Sequence, residues 1–255
     1  MSPALERLYA LLFAFAWIGR ATAAAVVVPA PGSFLVLLAR LLASSLPVVA
    51  VVALFSGAML TVQAVSSLSL VGGGPLSGTI VGLGGVREVF PLLAVAAVAA
   101  RTGAEFASEL GTMRVTQQVD ALSVMGLDPM RLLVAPRVLA ATVGTPACVL
   151  LSNAMGLAGS FAVGSVQLGI DRGSMWGALM AAVQTGDLVV GLAKGVVLGW
   201  LVGVITTREG MLASGGPRGV GRATNRAVVR AMVAVCCVSL LATYVVYGRA
   251  ALGGG

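Results

Sequence analysis

The sequence contains no histidine and only one lysine, and charged residues occupy just 10% of its 255 positions. Without histidine the chain lacks the side chain that most often binds metals and relays protons. Its cysteines, Cys148, Cys236 and Cys237, lie in apolar runs without metal-binding or redox spacing, so we interpret them as small packing residues. Neither a Ser/His/Asp set nor a metal cluster can be assembled. We therefore predict a non-catalytic chain that needs no cofactor.

Hydrophobic residues, by contrast, make up 58% of the chain, and the mean hydropathy is +1.03. Soluble domains carry roughly 25% charged residues. The long apolar runs are typical of membrane-spanning helices rather than of the alternating strands of a barrel. The net charge of +7 comes almost entirely from arginine. In a membrane protein such a charge reflects topology, so we predict no nucleic-acid partner.

The apolar runs predict a single all-α polytopic unit with five transmembrane helices. Residues 1–43 contain an apolar run of only eleven residues, which is too short to cross a bilayer, so we predict an interfacial or elbow helix there. No basic start or cleavage site marks this run as a signal peptide. The five-span core covers residues 44–247, and residues 248–255 form a tail. The predicted crossings are Ser44–Val65, Thr79–Arg101, Val138–Val163, Met175–Thr206 and Ala227–Tyr247.

The arginines predict the orientation of these spans. With the N-terminus inside, eleven basic residues of the loops fall on the inner side, and only Arg172 and Arg249 fall outside. The positive-inside rule then places the N-terminus in the cytoplasm and the C-terminus outside.

A polar stretch, Arg101–Arg137, interrupts the apolar runs between the second and third spans. It holds four of the nine acidic residues and four arginines. Its first half continues the second span as helix, and Arg114–Met125 predicts a short amphipathic helix that ends at Gly126. A solvated connecting helix and a docking helix both fit this pattern. The balanced charges favour a protein partner over anionic lipid.

Four charged residues, Arg87, Glu88, Asp187 and Lys194, fall inside predicted spans, where charges are costly. Glu88 precedes Arg101 by 13 residues and Lys194 precedes Arg208 by 14. Both therefore lie about 20 Å from the inner boundary. A structural salt bridge between spans two and four and a polar lining for an outward-facing cavity are both consistent with this placement.

Glycines recur every fourth residue along the fourth span, at Gly191, Gly195, Gly199 and Gly203. Such a seam permits close helix packing, either within one chain or between two copies. The glycine-rich segment 207–226 lacks the order of a phosphate-binding loop, so nucleotide binding by this chain is not predicted.

Three segments of the chain stand out. They are EFASELGTMRVTQQVDAL at Glu105–Leu122, followed by MGLDP and Pro136-Arg137; VREVFP at Val86–Pro91; and GVGRATNRAVV at Gly219–Val229. In this order they resemble the MlaE/YrbE permeases, the membrane subunits of Mce-type ABC lipid transporters. The second differs from the family in having Phe90 where glycine is usual, and the third in having Asn225 for threonine. The similarity extends from about residue 45 to 247.

The resemblance implies the function that we expect of the chain. It implies a dimer of permease subunits, identical or paralogous, in the bacterial inner membrane, with a separate cytoplasmic ATPase and an Mce-domain protein outside. Arg87, Glu88, Asp187 and Lys194 would line the lipid cavity. The polar stretch would hold the coupling helix, with ATPase contacts expected from Glu105, Glu109, Arg114, Gln117, Gln118, Asp120, Met125 and Asp128.

Two other classes remain possible on the residues alone. An ion-coupled secondary transporter would show internal repeats and broken helices around midplane sites, and no convincing repeat is present. A membrane scaffold that only anchors partners would leave the charges within the spans unexplained.

Overall fold

A computed structural model describes residues 17, 19–22, 31–69 and 76–248. Within this part of the chain no strand occurs, and nearly every residue is helical. Seven helices follow one another. We call them α1 Pro31–Ser69, α2 Ser77–Val115, α3 Gln118–Val124, α4 Met130–Gln167, α5 Arg172–Ala182, α6 Thr185–Met211 and α7 Gly216–Gly248. Five of them, α1, α2, α4, α6 and α7, are long and apolar enough to cross a membrane, which confirms the predicted five-span fold.

One predicted boundary was wrong. The fourth crossing does not begin near Met175, because Val183 and Gln184 are extended and separate α5 from α6. The helix of that crossing starts at Thr185, and α5 packs instead against the first turns of α2, where Gly78 and Gly82 allow close approach. The helix that carries the first crossing begins at Pro31, before the predicted crossing itself. The remainder of the predicted elbow, apart from residues 17 and 19–22, which are helical, and the tail from 249 lie outside the described residues.

The break before α6 has a local cause. The Gln184 side chain accepts from the backbone of Asp187, and the Asp187 carboxylate accepts from the Gln184 backbone N–H at 3.3 Å. This reciprocal pair is a capping box, which satisfies backbone donors that the first turn of a helix leaves unpaired. A new helix therefore starts at Thr185 although the apolar run continues through the break.

The bundle is held together at places where backbones touch. α1 packs most extensively against α4, and α4 in turn packs against α6. The predicted glycine seam of α6 faces α4 within the same chain, with Gly195 against Pro146, Gly199 against Ala141 and Gly203 against Val138. Small residues permit such contacts. The seam therefore serves packing inside the chain.

One of these contacts predicts a large loss of stability. A Cβ at Gly159 of α4 would lie 2.0 Å from the carbonyl oxygen of Leu54 in α1, and backbone cannot move aside cheaply. We expect Gly159→Ala to lower the free energy of unfolding by about 3 kcal/mol through overpacking. Thermal unfolding of the purified protein measures this. Gly177→Ala is the matched control, since nothing lies within 4 Å and alanine favours a helix there. An unchanged melting temperature for Gly159→Ala would contradict this packing.

Outward faces of the bundle are apolar, as a bilayer requires. Val51, Phe55 and Met59 of α1 and Val233 and Leu240 of α7 are more than half exposed. The buried core between the spans is also apolar and includes Leu41, Val98, Phe106, Val149, Leu198 and Val202. At one end of the bundle lie α3, the start of α1 and most of the arginines. We call this the α3 end.

Candidate functional site: a charged cluster within the spans and a polar surface at the α3 end

The four predicted charged residues of the spans come together in two ion pairs. Lys194 Nζ lies 2.7 Å from Glu88 Oε2, and Arg87 Nε lies 2.9 Å from Asp187 Oδ1. The Lys194 and Asp187 side chains are 3% and 6% exposed, whereas those of Arg87 and Glu88 are about 30% exposed. The cluster is therefore electrically balanced, and its α2 members reach the surface.

The backbone of α2 changes at this cluster. Gly85–Val89 forms a π-helical turn, and Pro91 follows it without an N–H to donate to the preceding turn. The carbonyl of Arg87 accepts instead from Lys194 Nζ at 3.0 Å. Because Lys194 also donates to Thr243 at 2.6 Å and to Glu88, all three of its donors are used. Full hydrogen bonding is what allows a cation to stay buried there.

The last span supplies polar partners that the sequence reasoning missed. Ser239 donates to Glu88 at 2.8 Å, Thr243 contacts the same carboxylate, and Tyr247 donates to Asp187 at 2.9 Å. The Tyr247 ring also lies 4.7 Å from the guanidinium carbon of Arg87. These three residues recur every fourth position, a polar stripe within an apolar helix. This four-residue spacing is visible in the sequence and indicates a polar face on the last span.

Lys194 also borders a cleft between α6 and α7. The cleft has a volume of about 200 Å³, and its other lining residues are apolar, among them Val190, Val197, Val238 and Val246. A polar cluster beside an apolar cleft suits a molecule that has a polar head and an apolar body.

At the α3 end, the predicted docking residues spread over three settings. Glu109 bridges two spans, since it binds Arg137 of α4 at 2.8 Å and Arg40 of α1 at 3.5 Å. Glu105 is half-buried one turn earlier and makes no ion pair with any described residue. Arg114 of α2 pairs with Asp120 of α3 and so ties the two helices together.

The break between α2 and α3 falls at Gln117, which has a left-handed backbone with φ of 61°. Arg114 and Val115 therefore belong to α2, and the predicted helix is shorter than expected. Gln118 is exposed at the start of α3, and Gly126 ends the segment with φ of 76°. Asp128 then accepts from the Met130 N–H at 2.9 Å, which caps α4.

The far end of α3 presents apolar side chains to solvent. Val124 is 89% exposed and Met125 is 64% exposed, and Leu127 and Leu132 are nearly half exposed. We call these four residues the α3 tip. Val124, Met125 and Leu127 lie between the spans α2 and α4, and Leu132 lies in the first turn of α4. Exposed apolar side chains between spans are typical of a surface that another protein covers.

The α3 end also contains a buried acidic residue that the sequence did not lead us to predict. Glu209, with its side chain 3% exposed, binds Arg230 at 2.6 Å, Arg208 at 3.1 Å and Arg226 at 3.5 Å. It thereby anchors the end of α6 to the start of α7. In the sequence, Glu209 lies among several arginines, a pattern that indicates an exposed basic loop rather than a buried ion-pair network.

Glu209→Gln tests that anchor. We expect a loss of about 3 kcal/mol in the free energy of unfolding, because three guanidinium groups lose their shared buried partner. Thermal unfolding in detergent measures the loss. Arg131→Gln is the control: its ion pair with Asp128 is exposed on both sides, so its removal changes stability by less than about 1 kcal/mol. Equal melting temperatures for Glu209→Gln and wild type would refute the anchor.

Fold and site together define a five-span all-helical membrane protein with a buried charge cluster within the spans and a short helix, α3, between the second and third spans. A family model described as Permease MlaE matches residues 34–245. The chain therefore belongs to the MlaE permease family and is a transporter permease subunit.

Individual relatives agree. A probable ABC transporter permease of Rickettsia typhi is 36% identical over 203 residues, covering 80% of this chain and 78% of the relative. One from Synechocystis is 32% identical over 82% of this chain and 81% of its own length. The intermembrane phospholipid transport system permease protein MlaE of Haemophilus influenzae is 31% identical over 67% of this chain and 66% of its own length.

Proposed function

We propose that the chain is the membrane-spanning subunit of an ATP-driven phospholipid transporter. It forms a dimer with a second permease copy or a paralogue in the bacterial inner membrane, with its N-terminus in the cytoplasm. A separate ABC ATPase binds at the α3 end, and an Mce-domain protein exchanges lipid at the opposite end. The family membership and the phospholipid transport name of one relative support this assignment.

The observation that carries the proposal is that one continuous helical run joins the two polar sites. α2 holds Arg87 and Glu88 in the charge cluster, and it holds Glu109 and Arg114 at the α3 end. Its 39 residues span about 58 Å. A displacement of α3 by an ATPase therefore moves α2, and with it the cluster. Closure of an ATP-bound partner biases such a two-state element.

The charge cluster serves as the polar part of the lipid cavity. The partly exposed Arg87 and Glu88 meet the head group, while the adjacent apolar cleft beside Lys194 accepts chain carbons. The same ion pairs also fix spans two, four and five against one another. The structural and the cavity roles are thus compatible.

The α3 tip and the charges around it form the docking surface. Val124 and Met125 supply the apolar centre, and Gln117, Gln118, Asp120 and Asp128 supply the polar rim. Glu105 lies farther back on α2, one turn before Glu109. Apolar centres with polar rims are the usual anatomy of protein interfaces.

Co-purification tests the assignment. We expect a tagged permease, expressed with the ABC ATPase encoded beside it, to retain that ATPase through purification in detergent. Reconstituted vesicles should move phospholipid only with ATP. A permease that purifies alone and moves a hydrophobic solute under an ion gradient without ATP would overturn the proposal in favour of a secondary transporter.

A further inference from the structure

A cavity at the α3 end lies apart from the charge cluster that we assign to the transported lipid. It has a volume of about 460 Å³ and lies where α1, α2, α3 and α4 meet. Pockets for small molecules commonly measure about 300–1,000 Å³. Six of its eight lining residues are polar or charged: Arg40, Ser108, Glu109, Thr112, Gln118 and Arg137.

The charges of this lining do not cancel. Glu109 is already neutralised by Arg137, whose side chain is only 7% exposed and lies 2.8 Å away. Arg40 is 59% exposed and reaches Glu109 only at 3.5 Å, so most of its guanidinium donors face open space. In addition, Arg137 Nε has no hydrogen-bond partner among the described residues. Arg40, Arg137 and Glu109 together give the lining one net positive charge, which a bound monoanion would neutralise.

Arg40 also stands at the head of an apolar stripe on α1. Exposed residues follow it at intervals of three and four positions: Ala43, Pro47, Val51, Phe55, Met59 and Val62. From Ala43 to Val62 the helix rises about 29 Å. The hydrocarbon core of a bilayer is about 30 Å thick. The cavity therefore lies at head-group level for the leaflet at the α3 end.

We propose that this cavity binds the phosphodiester of a phospholipid in that leaflet, whose acyl chains lie along the α1 stripe. The fork of Arg40 matches phosphate oxygens in bidentate fashion. Ser108 and Thr112 border the same space, but their hydroxyls donate to the carbonyls of Glu105 and Ser108, so Arg40 supplies the donors. The alternative occupant of the stripe is α1 of a second copy of this chain. If the two copies are related by a two-fold axis parallel to the bundle, their Arg40 side chains lie at the same depth and face each other. That arrangement is repulsive, so charge favours the lipid.

Such a lipid is distinct from the transported one. The Glu88–Lys194 pair lies about 20 Å from the inner boundary, whereas Arg40 lies beside Glu109 near the α3 end. The head group contacts α1, α2 and α4 where α2 leads into α3. A bound anionic lipid consequently stiffens the helix that we assign to ATPase coupling.

Native mass spectrometry of the full chain tests the proposal without any ATPase, so its outcome is independent of the proposed transport function. Delipidated protein is titrated with phosphatidylglycerol, and bound lipids are counted. We expect Arg40→Gln to weaken one lipid-binding step about tenfold, because charge-assisted hydrogen bonds are removed. At lipid concentrations that saturate this step in wild type, the variant should therefore carry one bound lipid fewer. Arg40→Lys keeps the charge without the fork and should fall between the two.

Controls separate the lipid from simpler occupants. Arg131→Gln removes an exposed arginine at the same end and should retain the full lipid count. Neutral diacylglycerol should not bind in an Arg40-dependent manner, and soluble glycerol phosphate should not compete at equal concentration. Equal lipid counts for wild type and Arg40→Gln would overturn the proposal. Competition by glycerol phosphate would show that the cavity binds only an anion. Arg40-dependent binding of diacylglycerol would show that it binds only an apolar molecule. Either result would also overturn the proposal.

Discussion

Glu88→Lys should abolish lipid transport and lower the free energy of unfolding by about 3–5 kcal/mol, because it sets a second cation against a nearly buried lysine. The Glu88 carboxylate also accepts from Ser239 and contacts Thr243, so its removal leaves these hydroxyls of the last span without their acceptor. Thermal unfolding in detergent reports the stability. Movement of a fluorescent phospholipid between reconstituted vesicles reports the transport.

The reciprocal exchange isolates the ion pair. Combining Glu88→Lys with Lys194→Glu restores opposite charges at the 2.7 Å contact, so we expect the double variant to regain most of the lost stability. Transport should recover less than stability, because the head group then meets reversed charges. Glu88→Gln is the control: it keeps a hydrogen-bond acceptor for Ser239 without the charge. A double variant no more stable than either single one would show that the two residues act separately.

That Glu88 and Lys194 lie at the same level of the bundle was predictable from the sequence alone. Counting residues from the arginines at the inner boundary placed Glu88 and Lys194 at one level, because helix rise per residue is nearly constant. Their 2.7 Å contact agrees with that count. The number of spans followed from the same arithmetic applied to apolar runs. What counting cannot supply is which helices are neighbours, since that depends on the packing of whole surfaces.

The missed features share this cause. The extended break at Val183 and Gln184 lies inside an apolar run, so hydropathy passes over it, although Gln184 and Asp187 stand at capping-box spacing. Ser239, Thr243 and the buried Glu209 acquire their roles from partners on other helices, up to 155 residues away in the case of Thr243 and Glu88. Sequence separation of that order hides a contact until the fold is known.

The second large effect concerns the α3 tip. We expect Val124→Asp to weaken binding of the ATPase by roughly a hundredfold, about 3 kcal/mol, because a contact that buries valine would instead bury an unpaired carboxylate. Val124 is 89% exposed in this chain, so the substitution leaves folding unchanged. Affinity measured on the immobilised permease, together with the ATPase rate of the complex, reports the effect. An intact complex with a normal rate would remove the α3 tip from the docking surface.

A matched substitution at the opposite end separates docking from a general effect of added charge. Val166 in the last turn of α4 is 77% exposed, so Val166→Asp makes the same chemical change at similar exposure. We expect this variant to bind the ATPase like wild type, because α4 places Val166 far from α3. The distance is set by the helix itself: Met130 to Val166 rises about 54 Å, more than a bilayer is thick. Loss of ATPase binding in both variants would mean that α3 carries no more of the contact than the rest of the surface. Loss in Val124→Asp alone assigns the contact to the α3 tip, which follows the end of α2, the helix that holds Glu88.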